Sequence, residues 1–222
     1  MKEYLAFGGG VDSTALMLLL LDEEVSFEAV FVNHGTDKPE TYAYVDYLQN
    51  EDYEITVIKP NIQGYADLYD FCWDHRVIPS IMGRWCSDKF KVRPQTKYRK
   101  LPCRIYVGYD ATEKSRALKV DRLKREGEEY RFPLIEKGIT RKQCRGIIKD
   151  HGLKTPQKSG CYLCPLQSKR EWKKLLIEHP ELFKKTMALE DNRKNKKMTF
   201  LPNGKLLSSL WQTNKITNYL VA

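Results

Sequence analysis

The first half of the chain alternates short apolar segments with stretches of helical character. The apolar segments are EYLAF, FEAVFVNHG and YEITVIKP, and the stretches between them are DSTALMLLLLDEE and KPETYAYVDYLQN. Such alternation predicts β-α-β-α-β connectivity, a parallel sheet with helices on both faces, and strand carboxyl ends along one ligand-binding edge. A further strand is expected at residues 103–110. We therefore predict an α/β fold with a twisted parallel sheet of at least four strands.

The character of the sequence changes near residue 134. A helix capped by Thr140 and stopped by Gly152 is expected there, followed by one or two basic helices in the segment SKREWKKLLIEHPELFKKTMALEDNRK. No internal repeat and no low-complexity linker separates this part from the rest. We predict an α/β domain over residues 1–133 and a helical, cysteine-containing appendage over residues 134–222.

Two features of the sequence bear on the cellular location of the protein. The longest apolar run, residues 15–21, is too short to cross a bilayer, and the N-terminus MKEYLAF lacks the apolar region of a signal peptide. We therefore expect no membrane partner and a cytoplasmic, reducing location. Six cysteines in such a compartment are expected to be buried fillers, metal ligands or catalytic thiols instead of disulfides.

The charge favours a polyanionic partner. The formal net charge is +9, and the densest basic runs are KFKVRPQTKYRK at residues 89–100 and RKNKK at residues 193–197. A basic surface of this kind indicates a nucleotide or a nucleic acid as partner, although many basic surfaces are only solvated faces. The sequence leaves open whether the protein forms a homodimer.

Three consecutive glycines stand between the first strand and the first helix, in AFGGGVDSTAL. Phe7 ends the strand, Gly8, Gly9 and Gly10 free the backbone to approach a ligand, and residues 12–14 supply the helix cap. The exposed N–H groups and the helix dipole favour a phosphate or pyrophosphate. The alternative is a tight turn without a ligand. Neither a Walker A loop nor a dinucleotide fingerprint is present, because the closing Gly-Lys-Ser/Thr and the third glycine are missing.

The segment GGGVDS resembles the pyrophosphate loop SGGxDS of the ATP pyrophosphatase superfamily, also called the PP-loop or adenine nucleotide alpha hydrolase-like superfamily. Gly9, Gly10, Asp12 and Ser13 match, whereas Gly8 replaces a serine and removes a hydroxyl contact to phosphate. The resemblance implies that the loop holds the β and γ phosphates of ATP with Mg²⁺, and that Asp12 helps to hold the metal. An acceptor carbonyl or carboxylate would attack the α phosphate and become adenylated.

A second segment narrows the branch of this superfamily. VFVNHGTDKPETYAYVDYL resembles DTGxxxPET of the phosphoadenosine phosphosulfate reductase family: residues 39–41 match, and residues 33–35 differ. Asn33, at the carboxyl end of the second strand, is expected to contact the adenine or the ribose. His34 is expected to be a partly exposed loop residue.

A third segment, VGYDATEKSRA, resembles GxRxxES..R of the same family. Gly108 permits close backbone approach, and the resemblance places Gly108 and Glu113 at the nucleotide. Arg116, with Lys89 and Arg93, would neutralise charge that develops at the α phosphate. The alternative is a surface helix on which Glu113 and Arg116 form a salt bridge.

Two cysteines lie close together in KSGCYLCP, where Gly160 and Pro165 favour a turn that lets two thiolates face one ion. With Cys86 and Cys144, the pair Cys161 and Cys164 would complete four thiolates for a tetrahedral Zn²⁺ or a [4Fe-4S] cluster. In the alternative, the pair alone binds metal or forms a transient disulfide, and the other two are buried fillers.

The resemblance bears on this choice. RWCSDKFKVRP and GCYLCP resemble the segments CCxxRKvxP and GCxxCT with which assimilatory adenylylsulfate reductases bind a [4Fe-4S] cluster. Only Cys86 stands where those enzymes carry a cysteine pair, so Cys144 is expected to supply the fourth ligand. Cys72 and Cys103 carry no spacing signal and are expected to be core residues.

The C-terminal sequence separates the chain from the sulfonucleotide reductases. Those enzymes carry a nucleophilic cysteine in ECGLH, whereas this chain ends in SLWQTNKITNYLVA and has no cysteine after Cys164. Without that thiolate an S-sulfocysteine intermediate cannot form in the usual way, so reduction of a sulfonucleotide is disfavoured. We expect an ATP-dependent adenylating transferase or ligase that transfers sulfur to a nucleic acid. The alternatives are a sulfonucleotide reductase-like enzyme, a zinc-containing amide- or nitrile-forming ligase, and a non-catalytic nucleotide- or nucleic-acid-binding protein.

Overall fold

The computed structural model describes residues 1–81 and 83–211. Within these residues one sheet of five parallel strands is formed, in the order β3-β2-β1-β4-β5. The strands are β1 Lys2–Phe7, β2 Glu28–Val32, β3 Ile55–Ile58, β4 Cys103–Val107 and β5 Glu128–Arg131. The predicted α/β class and parallel sheet are confirmed.

The helices of the described residues fill the connections and the C-terminal third. They are α1 Val11–Asp22, α2 Pro39–Asn50, α3 Leu68–His75, α4 Trp85–Ser87, α5 Arg93–Tyr98, α6 Lys114–Arg122, α7 Pro133–Glu136, α8 Arg141–Asp150, α9 Lys169–Glu178 and α10 Pro180–Asn192. A π-helical turn, Asp88–Val92, leads into α5, and a 3₁₀ turn spans Pro202–Gly204. Across the described ranges, every helix is too short or too polar to cross a membrane.

Local sequence explains why several of these elements begin where they do. Thr140 caps α8, and Gln143 accepts a hydrogen bond from the Thr140 N–H at 2.9 Å, which closes a capping box. Ser168 and Glu171 form the same arrangement at the start of α9. The helix predicted between Thr140 and Gly152 is confirmed.

Both faces of the sheet are covered. Leu5 and Phe7 of β1 enter a large apolar cluster with α1, α2 and α8, while Tyr4 enters a smaller cluster that contains Val30 and Cys103. Successive side chains of a strand point to opposite faces, so these clusters lie on the two sides of the sheet. Cys103 is fully buried, as predicted.

Strand β5 is missing from the sequence-based prediction because its residues, EEYR, are polar. Glu128 is nevertheless buried, since Arg99 and Arg125 hold its carboxylate at 3.3 and 2.8 Å. The two arginines thus compensate the buried charge of Glu128, while Tyr130 of the same strand packs against the apolar cluster of Val30 and Cys103.

The strand order creates a switch point in the sheet. From β1 the chain proceeds outward through β2 and β3, whereas β4 and β5 lie on the other side of β1. Crevices outside the carboxyl ends of strands at such a point are the usual ligand sites of open α/β sheets. Gly8 follows β1 and Gly108 follows β4, so both lie at this point.

The chain forms two compact units whose boundaries differ from the predicted division at residue 134. The first contains residues 1–33, 37–59 and 93–159, and the second contains residues 34–36, 60–92 and 160 onward. Helix α8 belongs to the first unit because Cys144 and Ile148 pack in the apolar cluster of α1. Residues 60–92 belong to the second, where Phe71 and Phe90 share a cluster with Trp172. Residues 212–222 of the predicted appendage lie outside the described residues.

Candidate functional site

The glycine turn between β1 and α1 is organised by one hydroxyl group. The Ser13 Oγ accepts hydrogen bonds from the N–H groups of Gly8 and Gly10 at 3.3 and 3.2 Å, and it donates to the Gly10 carbonyl at 3.1 Å. Gly9 has a φ of +63°, a conformation that favours glycine. The turn is therefore preformed, with Gly10 as the N-cap of α1.

The end of β4 lies directly against this turn. A Cβ added to Gly108 would come 2.9 Å from the carbonyl carbon of Asp12 and from the nitrogen and α-carbon of Ser13. Those atoms are backbone and cannot move aside as a flexible side chain can. Glycine at position 108 therefore allows the carboxyl end of β4 to meet the start of α1.

Three carboxylates gather at this strand edge. Asp12, Asp110 and Glu113 each offer an oxygen atom, and the three atoms lie within 4.8 Å of one another. Asp110 is buried and accepts hydrogen bonds from the N–H and the hydroxyl of Thr112 at 2.8 and 2.6 Å. The Oδ1 atom of Asp12 is buried without a hydrogen-bond partner among the described residues. Hard carboxylate oxygens in this number suit a divalent cation such as Mg²⁺.

The electrostatics of the group favour a cation as well. Burial raises the pKa of Asp12, and the negative charges of Asp110 and Glu113 raise that pKa further. Arg141, whose guanidinium lies 3.7 Å from the Asp12 carboxylate, opposes these effects. A bound divalent cation would relieve the repulsion between the carboxylates.

Sequence reasoning did not single out Asp110. It stands two residues after Gly108 in the segment VGYDATEKSRA, at the carboxyl end of β4. Polar residues at that edge of a parallel sheet are candidates for ligand binding, and this position was the available signal.

Arg116 is fixed by two neighbours. It forms an ion pair with Glu113, and its guanidinium carbon lies 4.3 Å from the centroid of the Tyr109 ring. Tyr109 in turn stacks on Phe132 at a centroid distance of 5.9 Å and an interplanar angle of 7°. The Glu113–Arg116 salt bridge expected for a simple surface helix is therefore present, next to the carboxylate group.

The other residues predicted to bind the nucleotide are divided between the two units. Phe7 is buried at the end of β1, and the N–H of Asn33, after β2, donates to the Ile58 carbonyl at 2.8 Å. Arg93 begins α5 in the first unit and is exposed. Lys89 belongs to the second unit, so the structure does not group it with the other predicted nucleotide residues of the first.

Cys144, which the sequence suggested as the fourth thiolate ligand, lies in an apolar environment. It belongs to the first unit and is fully buried in the apolar cluster of α1 and α8. Burial, with the charges of Asp12 and Asp110, raises the pKa of Cys144 to about 12. A side chain in these surroundings has the properties of a buried apolar filler. Cys86, Cys161 and Cys164 belong to the second unit.

A fourth cysteine accompanies those three in the second unit. Cys72, on α3, is fully buried, and burial raises its pKa, as do the neighbouring charges of Cys161 and Cys86. Burial likewise raises the pKa of Cys86, and the charge of Cys164 contributes to that rise. The charges of these thiols thus affect one another's pKa values, but among the described residues no three of the four sulfur atoms lie within 4.8 Å of one another. Cys72 is buried as predicted, but the sequence spacing gave no sign of this association.

The turn that carries Cys161 is ordered by hydrogen bonds within the second unit. The Cys161 sulfur accepts from the Leu163 N–H at 3.2 Å, and its thiol donates to the Thr36 hydroxyl oxygen at 3.1 Å. The Thr36 hydroxyl also contacts Nδ1 of His34 at 2.8 Å. His34 is only 1% exposed, so the expectation of a partly exposed loop histidine is wrong.

Comparison with known proteins adds three findings. The family model described as Phosphoadenosine phosphosulfate reductase domain matches residues 2–171. An uncharacterized protein of Methanocaldococcus jannaschii is 24% identical over 197 residues, which cover 81% of this chain and 45% of that protein. The chain thus spans about half the length of this relative. A crystal structure described as a predicted subunit of tRNA methyltransferase from the same organism aligns with a TM-score of 0.40 and 13% identity, covering 69% of this chain and 91% of that one.

Proposed function

Because the chain belongs to the phosphoadenosine phosphosulfate reductase family, we propose that it is a PP-loop ATP pyrophosphatase that adenylates an acceptor during sulfur transfer to a nucleic acid. The observation that carries the proposal is the meeting of a preformed glycine turn with three carboxylates, Asp12, Asp110 and Glu113, at the switch point of the sheet.

The glycine turn is suited to the β and γ phosphates of ATP. Helix α1 begins at this turn, so its first N–H groups and the positive end of its dipole favour negative charge. Ser13 keeps the turn in shape by accepting hydrogen bonds from the N–H groups of Gly8 and Gly10. Asp12, Asp110 and Glu113 would hold Mg²⁺, which supplies charge neutralisation for the phosphates.

The reaction follows from this arrangement. An oxygen of the acceptor attacks the α phosphorus, and the bond from that phosphorus to the oxygen bridging to the β phosphate breaks. Pyrophosphate leaves, and the acceptor carries AMP. Arg116, which Glu113 and Tyr109 hold in place, would supply positive charge to the reacting phosphate, and we assign Arg93 the same role from the family resemblance. A sulfur nucleophile then attacks the activated acceptor carbon and displaces AMP.

The cysteines of the second unit supply the proposed metal or cluster site. Cys72, Cys86 and Cys161 share one packed cluster, and with Cys164 they would offer four sulfur donors, the number that a [4Fe-4S] cluster or a tetrahedral Zn²⁺ requires. Since no three of the four sulfur atoms lie within 4.8 Å of one another among the described residues, the bound ion or cluster would have to draw them together. Cys72 takes the place first assigned to Cys144. A cluster would supply sulfur or electrons to the transfer step, whereas zinc would supply structure.

The net charge of +9 supports a nucleic acid as the acceptor. A phosphodiester backbone attracts a basic surface independently of its sequence, which suits a protein that must first capture a large polyanion.

The proposal is tested by pyrophosphate release. Purified protein with Mg²⁺ and ATP should release pyrophosphate when total tRNA or DNA is added, and Asp12→Asn should reduce the rate by about 100-fold or more. Asp46→Asn is the matched control, because Asp46 is exposed on α2 outside the turn and the charge change is the same. Nucleotide binding without pyrophosphate release under any of these conditions would contradict the proposed enzymatic activity and would indicate a non-catalytic nucleotide-binding protein.

A further inference from the structure

A cavity of about 380 Å³ lies within the second unit, between the end of α3 and the segment that follows α10. We propose that it binds an unstacked nucleobase and the adjoining phosphates of a single-stranded nucleic acid. The inference rests on the proposed function in one respect, since the bound strand would be the acceptor of that reaction. The volume lies within the usual range of small-molecule sites.

Aromatic side chains line one part of the cavity. They are Phe71 and His75 of α3 and Trp85 of α4. The His75 ring stacks on Phe71 at a centroid distance of 4.1 Å, and its Nδ1 lies 2.9 Å from the Phe71 carbonyl oxygen. Trp85 lies 5.8 Å from the Phe71 ring at an angle of 48°. Ordered aromatic rings at a cavity are platforms on which any base can stack.

Cationic side chains line the rest. Lys89 Nζ lies 5.3 Å from the Phe71 ring centroid and 5.8 Å from that of Trp85, which places its charge beside the aromatic platform. Arg76 and Lys194 are exposed at the cavity, and the Lys194 N–H donates to the Arg76 carbonyl at 2.8 Å. Among the described residues, none that lines the cavity is acidic. The occupant is therefore expected to carry negative charge.

One lining cation is unusual because it is buried. Arg193 is only 5% exposed, and its guanidinium donates to the carbonyls of Glu190 and Lys196. Its Nε–H is buried and has no acceptor within the described part of the chain. A buried guanidinium with a spare donor is suited to an anionic oxygen, and phosphate is the anion that Arg commonly binds.

The surroundings favour a strand over a single nucleotide. The basic run at residues 193–197 continues from the cavity onto the surface, where Lys196 and Lys197 are exposed. A base in the cavity would thus have cations along the backbone that leads to it. Phe71 and Trp85 also immediately precede Cys72 and Cys86 in the chain, so the aromatic platform and the proposed metal ligands share α3 and α4.

The test measures binding without ATP. A fluorescein-labelled strand of about 12 nucleotides, as RNA and as DNA, is titrated with the full chain by anisotropy between about 50 and 200 mM KCl. Lys194→Glu should weaken binding and lower the salt slope by about 0.7 for each phosphate group that the variant no longer neutralises. Lys173→Glu, on the exposed side of α9 and outside the cavity, is the matched control and should retain the salt slope.

Variants of Trp85 test stacking. Trp85→Leu should weaken binding about tenfold, whereas Trp85→Phe, which keeps a ring, should stay within about threefold of wild type. Binding that responds equally to Lys194→Glu and Lys173→Glu, and is unchanged in Trp85→Leu, would overturn the proposal. Displacement of the strand by an equal concentration of AMP or UMP would also overturn it, in favour of a mononucleotide site. Pyrophosphate release is measured separately, so failure of the proposed reaction leaves the binding result standing.

Discussion

Gly108 lies so close to Ser13 that an added Cβ would come 2.9 Å from the Ser13 nitrogen and α-carbon. This approach joins the end of β4 to the start of α1. It also brings Asp110, two residues beyond Gly108, into the same group as Asp12. The glycine turn and the carboxylates are therefore coupled through one glycine.

Replacing this glycine should damage the fold and the site together. Gly108→Ala forces a methyl group against fixed backbone, so we expect a loss of about 1–3 kcal/mol in the free energy of unfolding. Urea denaturation measures the change. Gly146→Ala is the control: Gly146 lies inside α8 with open space around it, and alanine there should stabilise by about 0.5–1 kcal/mol. Equal stability of Gly108→Ala and wild type would show that β4 and α1 are less closely joined.

Asp12 should cost stability at neutral pH. Burial and neighbouring carboxylates raise the Asp12 pKa in the folded protein, so the folded state binds the Asp12 proton more tightly than the unfolded state does. The stability gained from that proton is complete below the unfolded pKa and is lost as pH rises through the folded pKa, which leaves a buried charge at neutral pH. Asp12→Asn should therefore gain stability relative to wild type between about pH 4 and pH 7. Melting temperatures across that range are the measurement. A variant that loses stability relative to wild type as pH rises would contradict the assignment.

Metal content should separate Cys72 from Cys144. Iron, acid-labile sulfide and zinc per chain are measured on anaerobically purified wild type, Cys72→Ala and Cys144→Ala. About four iron and four sulfide are expected in wild type, largely lost in Cys72→Ala and retained in Cys144→Ala. If iron and sulfide were retained in Cys72→Ala and lost in Cys144→Ala, the ligand set expected from the sequence would be the correct one. One zinc without sulfide would make the site structural and favour adenylation and ligation without sulfur chemistry.

The ion pair between His151 and Asp22 gives a pH-dependent contribution to stability. The Asp22 carboxylate lies 3.0 Å from His151 Nε2 and raises the histidine pKa. This contribution is complete below the unfolded pKa and disappears as pH rises through the folded pKa. Asp22→Asn should thus cost about 0.5 kcal/mol near pH 5.5 and little near pH 9, since the pair is partly exposed.

Urea unfolding at both pH values checks this expectation. His151→Gln should remove the same pH dependence, and the double variant should lose no more than either single variant. A cost of Asp22→Asn that is equal at both pH values would rule out the pair as its source.

The sequence predicted what depends on local pattern. The alternation of strands and helices, the glycine turn at residues 8–10 and the Thr140 cap follow from periodicity and backbone chemistry, and all three are present. The polar strand β5 was missed because Arg99, distant in the chain, compensates its buried Glu128, and such a pair leaves no trace in local hydropathy.

The site was harder to predict for the same reason. Asp110 joins the carboxylate group only because β4 ends beside the start of α1. Cys72 becomes a neighbour of Cys161 only because α3 lies near the segment that carries Cys161. Cys144 was assigned as a ligand because only one cysteine stands where the family has a pair, and its side chain lies in the apolar cluster of α1. Contacts between distant segments decide these assignments.

The position of bond cleavage in ATP tests the central claim most directly. Phosphorus NMR of a reaction with Mg²⁺, ATP and nucleic acid identifies the products without a coupled assay. We predict pyrophosphate and an equal amount of AMP, which stays joined to the acceptor until a sulfur nucleophile such as added sulfide displaces it; both products should be lost in Asp12→Asn and retained in Asp46→Asn. Formation of ADP and inorganic phosphate as primary products would contradict the account, because it would place the attack at the γ phosphate instead of the α phosphate.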